Sequence, residues 1–211
     1  MRHHVILKTL FVLLTLSAGS TTLAQTFENE FTPYLGYRMG GSFEATDSLG
    51  RYNVADADSY GFIVNFMTRN QAQLEFIYSK QDTVARYDRL SQNDPEVGLE
   101  LESYELGGVY EFRGQMVRPY VAGTVGATHV STRSLESRSD TFLSGSFGLG
   151  VKIRPDDRVG VRFEVRLRGV VVSSSSGLFC STGTGGSGCS VTLAGNVVGQ
   201  VETFGGVVFR F

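Results

Sequence analysis

The sequence has no tryptophan, only two cysteines and only four prolines in 211 residues. Lys and Arg number 19 against 21 Asp and Glu, so the basic surplus of a nucleic-acid-binding protein is missing. The three histidines and two cysteines do not form the clustered ligand set of a zinc site. We therefore expect no nucleic-acid partner, no metal and no cofactor.

The N-terminus has the features of a secretory signal peptide. Arg2 and Lys8 flank the start of an apolar run at residues 9–18, and small residues follow. The run is about half of the roughly 20 apolar residues that a spanning helix needs, which predicts a cleaved leader. We expect residues 1–24 to be removed and residues 25–211 to form one domain. The leader takes two of the 19 basic residues, which leaves 17 basic against 21 acidic residues.

Both cysteines, Cys180 and Cys189, lie in a Ser- and Gly-rich stretch at residues 173–196. Because an exported chain meets an oxidising environment, we predict a local disulfide between them. The stretch has no charged side chain and too few apolar ones to form a core, which predicts a mobile loop.

Residues 159–171 alternate between apolar and polar side chains, as a half-buried β-strand does. The apolar set is Val159, Val161, Phe163, Val165 and Leu167, and the charged set is Arg162, Glu164, Arg166 and Arg168. No stretch after residue 25 has a convincing 3.6-residue apolar period of a helix. The pattern predicts an all-β fold.

Further segments with the same period bring the predicted number of strands to eight. The segments are residues 31–43, 59–66, 73–82, 99–112, 117–130, 142–153, 159–171 and 197–211. The connections alternate in length. Those at residues 67–72, 113–116 and 154–158 are short, with turn-forming residues such as Asn70, whereas those at residues 44–58, 83–98, 131–141 and 172–196 are long. This alternation is typical of an antiparallel up-and-down barrel in an outer membrane.

The glycines on the charged face indicate that this face points inward. They are Gly36, Gly40, Gly107, Gly148 and Gly150. Inside a narrow barrel they would leave room for long Arg and Glu side chains. The apolar face would then contact lipid, which a sheet can cross only when it has no free edge. Aromatic residues are predicted at both rims: Tyr110, Phe112, Phe209 and Phe211 at one, and Tyr60, Tyr78 and Tyr104 toward the other.

Three short motifs resemble the OmpA/OmpX-type eight-stranded outer-membrane β-barrels. Residues 32–38 (TPYLGYR) are similar to the first strand of that family, and residues 118–123 (RPYVAG) to the fifth. Residues 206–211 (GVVFRF) are similar to the terminal signal that the outer-membrane assembly machinery reads. The implied assembly signal is Gly206, Phe209 and Phe211. The resemblance implies a transmembrane barrel in a Gram-negative outer membrane, without the peptidoglycan-binding domain of the larger members.

Charged residues of both signs are predicted to point into the barrel. They are Arg38, Glu75, Glu105, Glu111, Lys152, Arg162, Glu164, Arg166, Arg168 and Glu202. Because buried charges must be paired, we interpret them as an ion-pair network that plugs the lumen. The alternative is a narrow pore for small solutes in which Arg162, Arg166 and Arg168 favour anions.

His129 and Ser131 are similar to the His-x-Ser pair of outer-membrane lipid A deacylases, with Glu136 as a candidate acid for orienting the histidine. The favoured interpretation of His129 is a polar residue at the membrane interface.

A second alternative concerns four acidic residues, Asp94, Glu96, Glu100 and Glu102. They would suit a cation such as the calcium that bridges lipopolysaccharide. The favoured interpretation is a solvated loop face.

We therefore expect a non-enzymatic barrel with a structural, envelope-integrity or adhesion-type role. Its expected partners are outer-membrane lipid and lipopolysaccharide, the assembly machinery during biogenesis and a surface ligand at the external loops. We expect it to be a monomer.

Overall fold

The computed structural model of the chain consists of β-strands. It describes residues 29–44, 51–68, 71–87, 97–133, 139–154, 158–171, 180–183, 186–189 and 197–211. The predicted all-β fold is confirmed for these residues. None of them lies in a helix that is both long enough and apolar enough to cross a membrane. The predicted leader, residues 1–24, lies outside the described residues, so its removal stays a prediction.

The described residues form twelve strands. In chain order they are β1 (Glu30–Met39), β2 (Ser42–Glu44), β3 (Arg51–Val54), β4 (Ala57–Met67), β5 (Ala72–Tyr87), β6 (Val97–Glu111), β7 (Val117–Thr132), β8 (Ser139–Ile153), β9 (Val159–Val171), β10 (Cys180–Gly183), β11 (Gly186–Cys189) and β12 (Val197–Arg210). Eight of them are long and form one antiparallel ring in the order β1, β4, β5, β6, β7, β8, β9, β12. The predicted eight-stranded barrel is confirmed.

The first and last strands close the ring. Strand β12 pairs with β1 from Arg210 opposite Glu30 to Val201 opposite Met39. One residue further on, Asn29 and Phe211 exchange two backbone hydrogen bonds of 2.9 and 3.0 Å. The seam therefore leaves no unpaired strand edge along β1, as the sequence predicted.

The short turns lie at one end of the ring, together with Asn29 and Phe211; we call this the short-turn end. In the turn between β4 and β5, Gln71 has φ 68°, a left-handed conformation that is unusual for a residue with a side chain. Asn70, which the sequence favoured as a turn former, lies outside the described residues.

The first predicted strand is too long. Strand β1 ends at Met39 because Gly40 and Gly41 have φ of 78° and 120°, which redirect the chain. Residues 42–44 form the separate strand β2, which pairs with β3, and β3 pairs in turn with the end of β5. Strand β5 reaches Tyr87, so part of the predicted long connection is strand as well.

The predicted loop at residues 173–196 contains a small two-stranded sheet. Strand β10 pairs with β11, and the backbone register places Cys180 directly opposite Cys189. A β-hairpin is held by hydrogen bonds between backbone groups, so it can form in a stretch whose side chains cannot build a core.

The barrel wall has an apolar outside and a polar inside. On β9, Phe163, Val165 and Leu167 are exposed outward while the four charged residues between and beside them are buried. The residues predicted for the rims are also outward, with Phe209 and Phe211 at the short-turn end 44% and 72% exposed.

The interior at the end opposite the short turns holds several buried apolar side chains, with the buried polar residues Gln81, Thr83 and Thr132 at the same level. The apolar side chains come from seven strands: Val54, Ala85, Leu99, Leu101, Val130, Phe142, Val170 and Val198. We call this set the apolar cap. A smaller apolar cluster, Tyr34, Ile63, Ile77 and Phe204, lies deeper in the barrel among the charged residues.

Deletion of Phe211 is expected to reduce the amount of folded protein in the membrane. The deletion removes both backbone hydrogen bonds between Phe211 and Asn29 and with them the end of the closing seam. The measurement is the outer-membrane level and the heat-dependent shift in gel migration. The control is Phe112→Ala, which removes another exposed aromatic side chain (47%) without touching the seam. Equal levels of the two variants would contradict the role of Phe211.

Candidate functional site

All ten charged residues that were predicted to face the lumen are buried, none of them more than 5% exposed. They do not form isolated pairs. With two further residues, Glu30 and Arg154, they form two closed rings of ion pairs and one linear chain.

The central ring joins Arg162 and Arg166 of β9 to Glu75 of β5 and Glu164 of β9. Arg162 Nη2 lies 2.8 Å from Glu75 Oε2 and 2.6 Å from Glu164 Oε2. Arg166 contacts the remaining two oxygens, with Nη2 at 2.6 Å from Glu75 Oε1 and Nε at 2.5 Å from Glu164 Oε1. Each carboxylate therefore binds both guanidinium groups, and each guanidinium binds both carboxylates.

Neutral side chains complete the hydrogen bonding of the central ring. The Tyr120 hydroxyl donates to Glu164 Oε2 and accepts from Arg162 Nε, both at 2.6 Å. The Arg162 guanidinium also lies 4.6 Å from the centroid of the Tyr120 ring. Asn65 donates to Glu75 Oε2 at 3.1 Å and accepts from Arg162 Nη1 at 3.2 Å. Asn65 and Tyr120 were not among the predicted site residues.

A second ring lies toward the short-turn end. Lys152 Nζ is 2.6 Å from Glu30 Oε2 and 2.5 Å from Glu111 Oε1, and Arg154 Nη2 is 2.5 Å from Glu30 Oε1 and 2.8 Å from Glu111 Oε1. Gln73 accepts from Lys152 at 3.0 Å and donates to Glu111 at 2.8 Å. Burial lowers the pKa of Arg154, which lies beyond the end of β8, while Glu30 and Glu111 act to raise it.

Sequence reasoning missed Glu30 and Arg154 because the predicted segments began one residue after Glu30 and ended one residue before Arg154. The alternation does indicate both residues. Glu30 lies an even number of positions from Arg38, and Arg154 lies two positions from Lys152, so each is expected to point inward as its neighbour does.

The third group is a chain of ion pairs toward the apolar cap. It runs from Glu105 through Arg168 and Glu202 to Arg38, with distances of 3.0, 2.7 and 3.1 Å. Arg38 also donates to the Ser79 hydroxyl. Thr124 and Ser146 each donate to Glu105 at 2.6 Å, so hydroxyl groups stabilise the end of the chain.

The three groups hold equal numbers of cations and anions, and two further cations, Arg210 at 3.5 Å from Glu30 and Arg118 at 3.9 Å from Glu111, lie at the short-turn end. The three groups contain six cations, Arg38, Lys152, Arg154, Arg162, Arg166 and Arg168, and six anions, Glu30, Glu75, Glu105, Glu111, Glu164 and Glu202. Removing so many charges from water is costly unless every charge is paired and hydrogen-bonded. Mutual neutralisation makes this interior compatible with a folded barrel.

The predicted role of the inward glycines holds for only part of the set. A Cβ at Gly148 would collide with Glu164 Oε1, and one at Gly150 with the Tyr120 hydroxyl, so both leave room for the central ring. At Gly107 a Cβ would instead collide with the backbone of β7. The prediction is wrong for Gly40, whose φ of 78° belongs to the turn after β1.

His129 and Ser131 point outward from β7, near the end opposite the short turns. His129 Nδ1 lies 3.0 Å from the Thr141 hydroxyl on β8. Backbone register places Glu102 opposite His129 and Glu100 opposite Ser131, but both carboxylates contact cations. Glu136, the acid suggested by the sequence, lies outside the described residues.

Glu100 and Glu102 lie on the outer face of β6 and are paired with cations. Lys80 contacts both, with Glu102 at 3.0 Å, and Arg133 lies 2.7 Å from Glu100. Asp94 and Glu96 lie outside the described residues. Within the part of the chain that the structure describes, no group of His, Cys, Asp and Glu is arranged to hold a metal ion.

This combination defines a class of protein. A closed ring of eight antiparallel strands with an apolar outside and a charged, ion-paired inside is an integral β-barrel of the outer membrane. The chain belongs to the family described as outer membrane protein beta-barrel domain, which matches residues 10–178. The match includes seven of the eight barrel strands, and β12 lies beyond it. In this family architecture the short-turn end is periplasmic and the opposite end external.

Several solved structures are similar to the chain. Neisserial surface protein A has a TM-score of 0.58 at 16% identity, covering 86% of this chain and 97% of that one. The N-terminal β-barrel domain of Pseudomonas aeruginosa OprF has 0.47 at 15%, covering 87% and 97%. Yersinia pestis Ail, the attachment invasion locus protein, has 0.46 at 15%, covering 87% and 99%. At 16% identity the likeness to Neisserial surface protein A shows the fold alone. No curated protein matches the sequence.

Replacement of Glu75 by Gln is expected to destabilise the barrel by about 3–5 kcal/mol, because it leaves Arg162 and Arg166 without one of their two carboxylates in a buried site. The measurement is urea unfolding in lipid vesicles followed by circular dichroism. Arg133→Gln instead removes an exposed cation beyond the end of β7 and should change the unfolding free energy much less, because solvent screens its contacts with Asp82 and Glu100. Equal costs for the two variants would contradict the importance of the central ring.

Proposed function

We propose that this outer-membrane protein is a non-enzymatic barrel with a closed lumen, and that it acts as a rigid support for the segments at its external end. Its role would be in envelope integrity or in contacts at the cell surface, where loops on a rigid scaffold carry recognition. The observation that carries the proposal is the ion pair between Arg162 and Glu75, which joins opposite walls of the barrel.

The geometry of this pair supports a closed lumen. Arg162 lies on β9 and Glu75 on β5, and these strands are four places apart in either direction around the ring of eight. A contact of 2.8 Å between their side chains therefore crosses the middle of the lumen. Arg166 makes a second crossing to the same carboxylate. A water path for solutes would have to pass these side chains.

The apolar cap supports closure at the external end. Its eight side chains are all buried: seven come from six strands of the ring, including Leu101 on β6 and Val198 on β12, and Val54 comes from β3. An apolar constriction disfavours water and ions even where a narrow gap remains. The rings of ion pairs and the apolar cap would act as two barriers in series.

The contacts around His129 support the non-enzymatic proposal. A nucleophilic serine needs a histidine within hydrogen-bond reach, and that histidine needs an acid that orients it. The hydrogen bond described for His129 is to Thr141, and the nearby Glu102 is held by Lys80. Neither arrangement activates Ser131.

Purified protein in a planar lipid bilayer is expected to show no discrete conductance steps in concentrated salt. A conducting porin added to the same membrane provides the positive control, and the heat-dependent gel shift shows that the sample is folded. Reproducible anion-selective steps from the folded protein would overturn the closed lumen in favour of the Arg-lined pore.

We also propose that Cys180 and Cys189 form a disulfide. Directly opposite residues in an antiparallel pair have Cα atoms about 4.5–5.5 Å apart, which lies within the range of disulfides. Under the chain-entropy model, closing so short a loop would stabilise the fold by roughly 2–3 kcal/mol.

The expected result for this disulfide is that a thiol alkylating agent adds no mass to the denatured exported protein until a reductant is present, and then adds two groups. Alkylation of both cysteines without a reductant would contradict the disulfide. Protein retained in the cytoplasm, where thiols stay reduced, is the matched control.

A further inference from the structure

The apolar outer surface is not equally tall around the barrel. On β9 every outward position from Val159 to Val171 is apolar or glycine. A strand tilted by about 40° rises roughly 2.5 Å per residue along the membrane normal, so this run spans about 30 Å. On β12 the outward run from Phe209 to Val197 is equally long, interrupted only by Thr203. We call β9 and β12 the tall side.

The outward apolar run is much shorter on β4, β5 and β6, which we call the short side. On β5 it extends from Ala72 to Tyr78 and is followed by Lys80. By the same rise per residue this is only about 15 Å, against the roughly 25 Å of a typical apolar band. The runs on β4 and β6 end in the same way, with Tyr60 before Asp58 and Tyr104 before Glu102.

The two sides face opposite directions. In the ring of eight strands, β5 lies opposite β9 and β6 lies opposite β12. The difference in height is therefore between opposite walls of one barrel and does not alternate from strand to strand.

The polar boundary of the short side is held at its height by contacts within the wall. Lys80 contacts Glu100 and Glu102, the latter at 3.0 Å. The Tyr78 hydroxyl donates to Glu102 at 3.2 Å, and the rings of Tyr78 and Tyr104 lie 5.1 Å apart. We call these five residues the polar ledge. A lone lysine at this depth would extend toward the headgroups, but Lys80 is bound to neighbours on the adjacent strand.

We propose that the barrel thins the outer leaflet beside β4, β5 and β6, so that lipid headgroups descend to the polar ledge. A bilayer meets a short apolar surface by thinning locally, by extension of flanking side chains or by oligomerisation of the protein. The contacts of Lys80 and Glu102 oppose extension. The headgroups offer phosphate and other polar groups to a row of tyrosines and charged side chains. The proposal does not depend on whether the lumen conducts.

The test compares the depth of two matched positions, Phe76 on β5 and Phe163 on β9. Both face outward, and each lies four residues from the periplasmic start of its strand. Position 76 is two residues below Tyr78, or about 5 Å, whereas position 163 is eight residues below Val171, or about 20 Å. Without thinning, and with the barrel axis along the membrane normal, the two positions would lie at similar depths.

Each phenylalanine is replaced by cysteine and labelled with a nitroxide, in a chain whose two native cysteines are replaced by serine. The protein is studied in dioleoyl phosphatidylcholine vesicles, and the gel shift shows that each variant is folded. Collision rates of the label are measured with oxygen, which prefers hydrocarbon, and with a water-soluble nickel chelate. We expect the ratio of nickel to oxygen collisions to be several-fold higher at position 76. Equal ratios would overturn the proposal.

The double variant Lys80→Leu, Glu102→Leu tests the polar ledge itself. Removing both partners avoids an unpaired lysine, and Glu100 keeps its contact with Arg133. The label at position 76 should then become less accessible to nickel, because the apolar run on β5 extends by two residues, or about 5 Å, to position 80 before Asp82. The label at position 163 should not change. An unchanged ratio at position 76 would overturn the role of the ledge. Shielding of position 163 from both reagents would show protein contact on the tall side and would also overturn the proposal.

Discussion

Hydrocarbon offers no partner for a backbone N–H or C=O group, and the rest of this structure depends on that constraint. In lipid, every strand of a sheet must be hydrogen-bonded to a neighbouring strand on both of its edges, so the sheet must close into a barrel. Here closure depends on the antiparallel pairing of β12 with β1 and on the two final hydrogen bonds between Asn29 and Phe211. The terminal residues of the barrel are consequently structural, whatever the protein does at the cell surface.

Closure with eight strands makes the interior narrow enough for opposite walls to touch. Arg162 and Arg166 reach across from β9 to Glu75 on the opposite strand β5. Lys152 on β8 reaches Glu30 on β1, three places away around the ring. A buried ion pair is weak evidence for stability, since its desolvation cost rivals its attraction. What the rings do supply is neutrality, because every one of their charges contacts an opposite charge. The narrow lumen and the ion-pair network inside it therefore both follow from closing the sheet with only eight strands.

Much of this architecture could be predicted from the sequence, because the face of a strand to which a side chain points follows from the alternation of its immediate neighbours. The alternation at residues 159–171 placed Arg162, Glu164, Arg166 and Arg168 on the inner face, where the structure has them. The pairing of these charges could not be predicted. Whether Arg168 meets Glu105 or Glu75 depends on the register and tilt of every strand between them, which no local pattern contains. The ends of strands were also missed, because Gly40, Gly41 and Gln71 act through backbone angles.

The central claim is that the charges inside the barrel are held in two rings and one chain of ion pairs and do not line a water path. Solid-state NMR of the protein in lipid bilayers tests it most directly, through exchange of the guanidinium protons of Arg162 and Arg166 with deuterated water. Protons held by Glu75 and Glu164 at 2.5 to 2.8 Å should be protected and should show through-space contacts to both carboxylates. Exchange as fast as that of the exposed Arg133, with no contact to Glu75, would contradict the account.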